Sequence, residues 1–354
     1  MNSTFLPRTP WSLCAVLLLG LGLGACDVFR QPVEVVPGGP PRCGGAISVN
    51  PRGIFWNDYC VGESLRVPLS GGAPVTLARS ESPTALRLDE ESLYWISEPK
   101  PGEWVVELRR ISQDGGASVS LVTGEPPSFS GLAVDDSRVY WIGSRLGNER
   151  SGLLSSISKD GTGDTQVLAS DLVNPFHLVR GADALYWVQE DAKPADDSSL
   201  STYSIMRFPL AGGTPVTLAA GQQRPYDFAV HGSSVYWIHG GYQTGEQDRP
   251  PGALMRLPVE GGTPTQLTEI TNPIALVVDD TGIFCVDGEV IRDSGFFGFG
   301  GSRRRASIIH LDHEGRNVGT LVSELDSNPS SFTTHGGSVY WTTTTGAVKR
   351  VAAD

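Results

Sequence analysis

Residues 228–237 read FAVHGSSVYW, and residues 332–341 read FTTHGGSVYW. Each stretch opens on an apolar residue, crosses a His-Gly turn and closes on Tyr-Trp. In both, the first aromatic of the pair lies eight residues after the opening phenylalanine. An apolar strand, a tight turn and a second strand of alternating character make a β-hairpin. The same frame recurs along the chain. The aromatic pairs are Phe55-Trp56, Tyr94-Trp95, Tyr140-Trp141, Tyr186-Trp187, Tyr236-Trp237 and Tyr340-Trp341, with Phe284-Cys285 as the one departure. The residue eight positions upstream of the first member is Ile47, Leu86, Leu132, Leu178, Phe228, Leu276 or Phe332. Turn formers lie between, such as Asn50-Pro51-Arg52-Gly53, Asp89-Glu90 and the Asp pairs 135–136 and 279–280.

Downstream of each pair comes a variable stretch, then a third strand ending in a Gly-containing turn, as in PLSGG (68–72), PLAGG (209–213) and PVEGG (258–262). A short fourth strand follows, as in PVTLA at 74–78 and again at 215–219. Each unit is thus a four-stranded antiparallel meander. One such sheet cannot bury both of its faces, but a stack around an axis lets neighbours cover each other. Adjacent residues of a strand point to opposite faces, so paired Tyr and Trp fit a strand buried on both sides. The repeat predicts an all-β fold, a seven-bladed β-propeller of four-stranded antiparallel blades. A six-bladed ring with one extra unit is the alternative, and Gly/Pro punctuation excludes a helical solenoid.

The seventh unit stops after its third strand. Gln31-Pro32-Val33-Glu34-Val35-Val36 matches the fourth-strand pattern of Thr214-Pro215-Val216-Thr217-Leu218. The N-terminal strand is therefore predicted to complete the last blade and to close the ring without an exposed edge.

Tyr340-Trp341-Thr342-Thr343 is similar to the YWTD motif of lipoprotein-receptor propellers and their bacterial relatives. The full tetrad is not kept in the other units. Those receptor propellers have six blades and a following EGF-like module, and neither is read here. The resemblance covers residues 31–354 as architecture and implies a binding or scaffold role by analogy.

Residues 1–26, MNSTFLPRTPWSLCAVLLLGLGLGAC, carry Arg8 and then an apolar run from Trp11 to Ala25. That run is short for a bilayer span and right for a signal sequence. Leu23-Gly24-Ala25-Cys26 resembles the bacterial lipobox. The resemblance implies cleavage before Cys26 and acylation of Cys26; multiple acyl chains anchor stably. The expected organisation is a signal peptide at 1–25, a tether at 26–30 and the propeller at 31–354. The expected location is the bacterial cell envelope, on the periplasmic side or the cell surface, with the bilayer engaged through Cys26. Because the N-terminal strand is a fourth strand, it begins on the face opposite the inter-blade links. The links and the long second-to-third-strand loops (97–104, 143–152, 189–203, 239–252 and 288–306) then point away from the membrane, where binding surfaces are commonly built.

Cys43 and Cys60 fall opposite each other if the first hairpin keeps its register, and an exported protein favours a disulfide there. Cys285 stands at a Trp position and reads as a buried apolar substitute. The chain has 27 basic and 39 acidic residues, a net charge of −12, which speaks against a broad nucleic-acid surface. No cofactor motif, calcium loop or catalytic constellation is read, and no metal site is assigned.

Two features stand out as candidate binding groups. One residue before the recurrent apolar position the chain has Ala46, Ala85, Gly131, His177, Asp227, Ala275 and Ser331. Five are small, as crowding near the axis demands. His177 and Asp227 depart, in adjacent blades, and Phe176 and Tyr226 precede them. These four are candidate ligand-binding residues at the outward channel mouth; the competing reading is a structural hydrogen bond between blades. The second feature is Gly295–Arg305, where Phe296, Phe297, Phe299, Arg303, Arg304 and Arg305 form a candidate partner loop. The expectation is a membrane-anchored propeller that presents outward loops to a protein or glycan. The alternative is an exported propeller enzyme of the lyase or lactonase type.

Overall fold

A computed structural model describes residues 31–353, except 81, 98–105, 125–126, 146–150, 193–200, 241–250 and 293–301. The signal segment and Cys26 lie outside the described residues. Blade 1 is β2 (Gly44–Asn50), β3 (Gly53–Asp58), β4 (Glu63–Val67) and β5 (Val75–Arg79), and β1 (Val33–Val36) precedes it. Blade 2 is β6 (Pro83–Leu88), β7 (Ser92–Ser97), β8 (Val106–Ser112) and β9 (Val119–Gly124). Blade 3 is β10 (Pro127–Val134), β11 (Arg138–Arg145), β12 (Gly152–Ser158) and β13 (Gln166–Leu172). Blade 4 is β14 (Phe176–Arg180), β15 (Ala184–Glu190), β16 (Tyr203–Pro209) and β17 (Val216–Gln222). Blade 5 is β18 (Pro225–His231), β19 (Ser234–His239), β20 (Gly252–Pro258) and β21 (Thr265–Ile270). Blade 6 is β22 (Pro273–Asp279), β23 (Gly282–Arg292), β24 (Ser302–Leu311) and β25 (Asn317–Val322). Blade 7 is β26 (Pro329–His335), β27 (Ser338–Thr343), β28 (Val348–Ala352) and, as its outer strand, β1. Among the described residues there is no α-helix.

The ring closes as the sequence predicts. β1 pairs antiparallel with β28, with Val33 opposite Arg350 and Val36 opposite Val348. Val36 is buried at the seam with Ile47, Trp56, Tyr340 and Val348. β1 therefore enters from the side of the hairpin turns and leaves on the side of the inter-blade links.

The aromatic pair divides its labour between blade interfaces. Trp187 packs toward blade 3, against Ala133, Ile142, Leu154 and Leu178. Tyr186 packs toward blade 5, with Phe228, Val235 and Trp237. Trp95 and Tyr94 divide the same way between blades 1 and 3. Cys285 replaces the tryptophan in the cluster between blades 5 and 6, where it is fully buried and free. Burial pushes its thiol well above the usual range, which leaves it an unreactive apolar filler. Two of the tyrosine hydroxyls reach the first turn of their own hairpins. Tyr94 Oη donates to Asp89 (2.8 Å) and Tyr140 Oη to Asp135 (2.6 Å). Those aspartates also accept backbone N–H groups across the turn, from Glu91 and Ser92 and from Ser137 and Arg138. Turn aspartates are thus spent on structure.

Each inner strand is irregular at the same level. The register between first and second strands shifts between Gly44 and Ile47, Thr84 and Leu86, Phe129 and Gly131, Phe176 and Val179, Pro225 and Asp227, Pro273 and Ala275, and Pro329 and Ser331. A bulge re-aims side chains locally, and here it does so seven times around the channel. Crowding at this level is severe: a Cβ on Gly131 would lie 2.6 Å from Leu178 Cβ.

The same bulge corrects the cysteine register. Gly44 faces Asp58, one step off the alignment of Ile47 with Trp56. Cys43 and Cys60 nevertheless form a disulfide, with Cα atoms 5.4 Å apart. A second correction concerns blade 6. The span 288–306 is not all loop: β23 and β24 continue pairing outward to Arg292 opposite Ser302. The backbone of Arg303–Arg305 is therefore strand, paired with Ile291, Val290 and Glu289. Phe296, Phe297 and Phe299 lie outside the described residues.

Candidate functional site

The link face carries a concave site of about 560 Å³ between blades 4 and 5. It is lined by Asn174, Phe176, His177, Glu190, Tyr203, Arg224, Pro225 and Tyr226. Local backbone explains why these side chains converge. Asp171, Asn174 and His177 all have left-handed φ values (59°, 41° and 55°), rare for residues with a Cβ. The chain thus coils tightly from β13 into β14 and turns the His177 ring aside from the regular pleat. Ala85 has the same left-handed φ (38°) at the equivalent position of blade 2, so the distortion belongs to the bulge. His177 is where that bulge carries a chemically active side chain.

Phe176 forms the floor. Tyr203 meets it edge-on, with ring centroids 5.8 Å apart at 85°. The His177 ring lies 5.0 Å away, and the Arg224 guanidinium sits over the Phe176 face at 5.6 Å. Tyr226 is 40% exposed. Its ring rests on Gly240, where a Cβ would come within 2.5 Å of Tyr226 Cε2. Glycine there lets an aromatic face lie open to the cleft. On the far wall, Glu190 accepts from Asn174 Nδ2 (2.9 Å) and from Ser201 Oγ.

His177 and Asp227 are brought together, but in different roles. Asp227 Oδ2 accepts the backbone N–H of Leu276 in blade 6, and Oδ1 accepts the N–H of Phe228, both at 2.8 Å. This is the inter-blade structural bond that competed with the ligand reading. Ser331 does the same at the next seam but one, accepting the Ile47 N–H on Oγ at 3.2 Å. Asp227 is not among the residues lining the cleft. The His177 ring lies beside the Tyr226 backbone and feels the Asp227 charge. Burial outweighs that charge and lowers the imidazole below its ordinary value, so His177 is neutral at pH 7. Burial likewise raises Asp227, against the pull of His177. Of the four candidates, Phe176, His177 and Tyr226 meet in one cleft; Asp227 stands behind them.

Besides Pro225, four cleft residues were not singled out from the sequence: Asn174, Glu190, Tyr203 and Arg224. A fifth group, Arg87, lies in the channel itself. It is surrounded by protein yet exposed to the channel, and it donates to Leu86 O at 2.8 Å. Its charge reaches both His177 and Asp227. The residue following the recurrent apolar position elsewhere is Ser48, Ala133, Val179, Ala229, Val277 or Thr333, so Arg87 is the outlier of its column.

On the opposite face, His231 stacks on His313, with centroids 5.4 Å apart and planes 3° from parallel. Among the described residues no cluster of three or more His, Cys, Asp or Glu is placed to hold a metal ion.

Seven closed four-stranded blades with an apolar seam at each interface define a β-propeller. No family model and no curated protein matches the sequence. Solved structures are similar to it. Virginiamycin B lyase from Staphylococcus aureus is 12% identical with a TM-score of 0.64, over 91% of this chain and 98% of that one. Oligogalacturonate lyase from Vibrio parahaemolyticus is 10% identical with a TM-score of 0.61, over 93% and 95%. A nidogen/laminin complex is 18% identical with a TM-score of 0.49, over 74% and 90%. Likeness at these identities is likeness of fold.

Proposed function

We propose that the protein is a membrane-anchored binding lipoprotein of the bacterial cell envelope, whose cleft between blades 4 and 5 takes the end of a glycan. The observation that carries this reading is the placement of the cleft: it opens on the link face, while β1 starts on the other. Six residues separate Cys26 from Val33, a tether of at most about 25 Å. Acyl chains on Cys26 would hold the turn face toward the bilayer and leave the cleft facing outward. Its content suits a sugar. Phe176, Tyr203 and Tyr226 supply apolar ring surface, and Asn174, Glu190 and His177 supply fixed polar groups around a volume typical of small-ligand sites.

The test has two parts. Substituting Cys26→Ala should move the protein from the membrane fraction to the soluble fraction. In calorimetric titrations with a panel of neutral and acidic tetrasaccharides, Tyr226→Ala should weaken binding about tenfold, the loss of a well-packed aromatic contact of about 1.4 kcal/mol. A membrane-bound Cys26→Ala variant, or binding indifferent to Tyr226, contradicts the reading.

One observation favours a second reading. His177 borders the cleft as a neutral imidazole, the form a general base requires. An exported lyase or lactonase would use it so. Turnover of a bound glycan that disappears in His177→Gln, with binding retained, would select the enzyme over the binding module.

A further inference from the structure

The polar groups of the cleft are unevenly matched. Among the described residues Glu190 is the one carboxylate lining it, and both of its oxygens are engaged, by Asn174 and Ser201. Arg224 is exposed, and its guanidinium carbon lies over the Phe176 ring, 5.6 Å from the centroid. Among the described residues no carboxylate lies within salt-bridge distance of Arg224. Deeper in, Arg87 adds a second guanidinium, also without a salt-bridged carboxylate among the described residues. Both cations act on His177, which sits between the cleft and the channel. Arg87 feels the Asp227 carboxylate behind His177, which leaves Arg224 as the cation open to the cleft.

The Arg224 guanidinium sits above the Phe176 ring and, with no carboxylate at salt-bridge distance among the described residues, is open to an acceptor in the cleft. A guanidinium is a planar fork of donors and pairs best with a carboxylate, through two parallel N–H···O bonds. The apolar rings beside it fit the C–H face of a sugar. Resting on the reading of the cleft as a glycan site, we infer that its ligand is an acidic glycan, with the carboxylate of a uronic acid residue gripped by Arg224.

The experiment is a calorimetric titration of the mature chain with uronate tetrasaccharides of several linkages, and with the same chains after carboxyl reduction. The wild type should bind an acidic form about 10- to 100-fold more tightly than its reduced form, as expected for a charge-assisted pair. Arg224→Met should abolish that preference and leave the reduced form bound within about twofold of wild type. Arg224→Lys should keep part of the preference, since it keeps the charge and loses the fork. Equal wild-type affinity for acidic and reduced forms would overturn the inference while sparing the glycan site. So would an equal loss for both forms in Arg224→Met, or tighter binding of a phosphorylated sugar than of the uronate. Failure of every tetrasaccharide, acidic or reduced, would instead overturn the reading of the cleft itself. The wild-type comparison stands even if a substitution impairs folding.

Discussion

Trp187→Ala should lower the unfolding free energy by about 3–5 kcal/mol, measured by urea denaturation followed at equilibrium. Trp187 is fully buried at the seam of blades 3 and 4, and its Nε1 donates to Gln189 at 3.1 Å. Truncation leaves a cavity against Leu178, Leu154 and Met206, which belong to rigid strands of two sheets and cannot collapse into it. A domain is stable by only about 5–15 kcal/mol, so the loss is a large share of the total. Trp187→Phe should cost less than half as much, because it keeps most of the contact area and loses one hydrogen bond. A loss below about 1 kcal/mol for the alanine variant would mean that the aromatic pairs are not the inter-blade seams.

The second large effect concerns closure. A chain lacking residues 31–36 should unfold at lower urea than wild type and self-associate on size-exclusion chromatography. Removing β1 strips Val36 from the seam of blades 7 and 1, where it is 4% exposed; that side chain alone is worth about 2 kcal/mol. It also leaves β28 as a bare edge, its N–H and C=O groups open to another chain. Val36→Asp is the milder form of the test: it keeps the strand but buries a charge, and it should destabilise without exposing the edge to the same degree. A deletion variant that remains monomeric and as stable as wild type would place residues 33–36 outside the fold.

Blade number, strand order and closure could be read from residues because burial on both faces of a strand leaves a mark in sequence. The pair Tyr186-Trp187 says that two neighbours cover one strand, and a single spacing of eight says where its partner begins. The bulges left no such mark. Gly44-Gly45-Ala46 reads as ordinary strand, and the Cys43–Cys60 alignment assumed an unbroken register that the backbone interrupts. The disulfide formed anyway because a one-residue shift at Gly44 still leaves the two Cα atoms within bridging range.

The site was half legible. His177 stood out because five of the seven residues in its column are small, and the same comparison two columns later would have revealed Arg87. Arg224, Asn174 and Tyr203 lie in links and strand ends, where no periodicity constrains residue type and convergence depends on left-handed turns at Asp171 and Asn174. Asp227 was legible as unusual but not as structural, since its two backbone donors come from its own strand and from blade 6. The outer hairpin of blade 6 reads as loop because Gly288 and the arginines at 303–305 carry no strand alternation, yet the backbone pairing runs on.

The orientation of the cleft depends on where β1 lies, and a paired-cysteine crosslink measures that directly. Val33 faces Arg350 across the β1–β28 pairing. The double variant Val33→Cys, Arg350→Cys should form an additional disulfide on mild oxidation, seen as a loss of about two mass units in the intact protein and at a separation typical of paired strands. A control pairing Val33→Cys with Thr76→Cys on β5 should not crosslink within the monomer. Failure of the 33–350 pair to join, with both thiols free and reactive, would contradict ring closure by the N-terminal strand and with it the proposed outward orientation of the cleft.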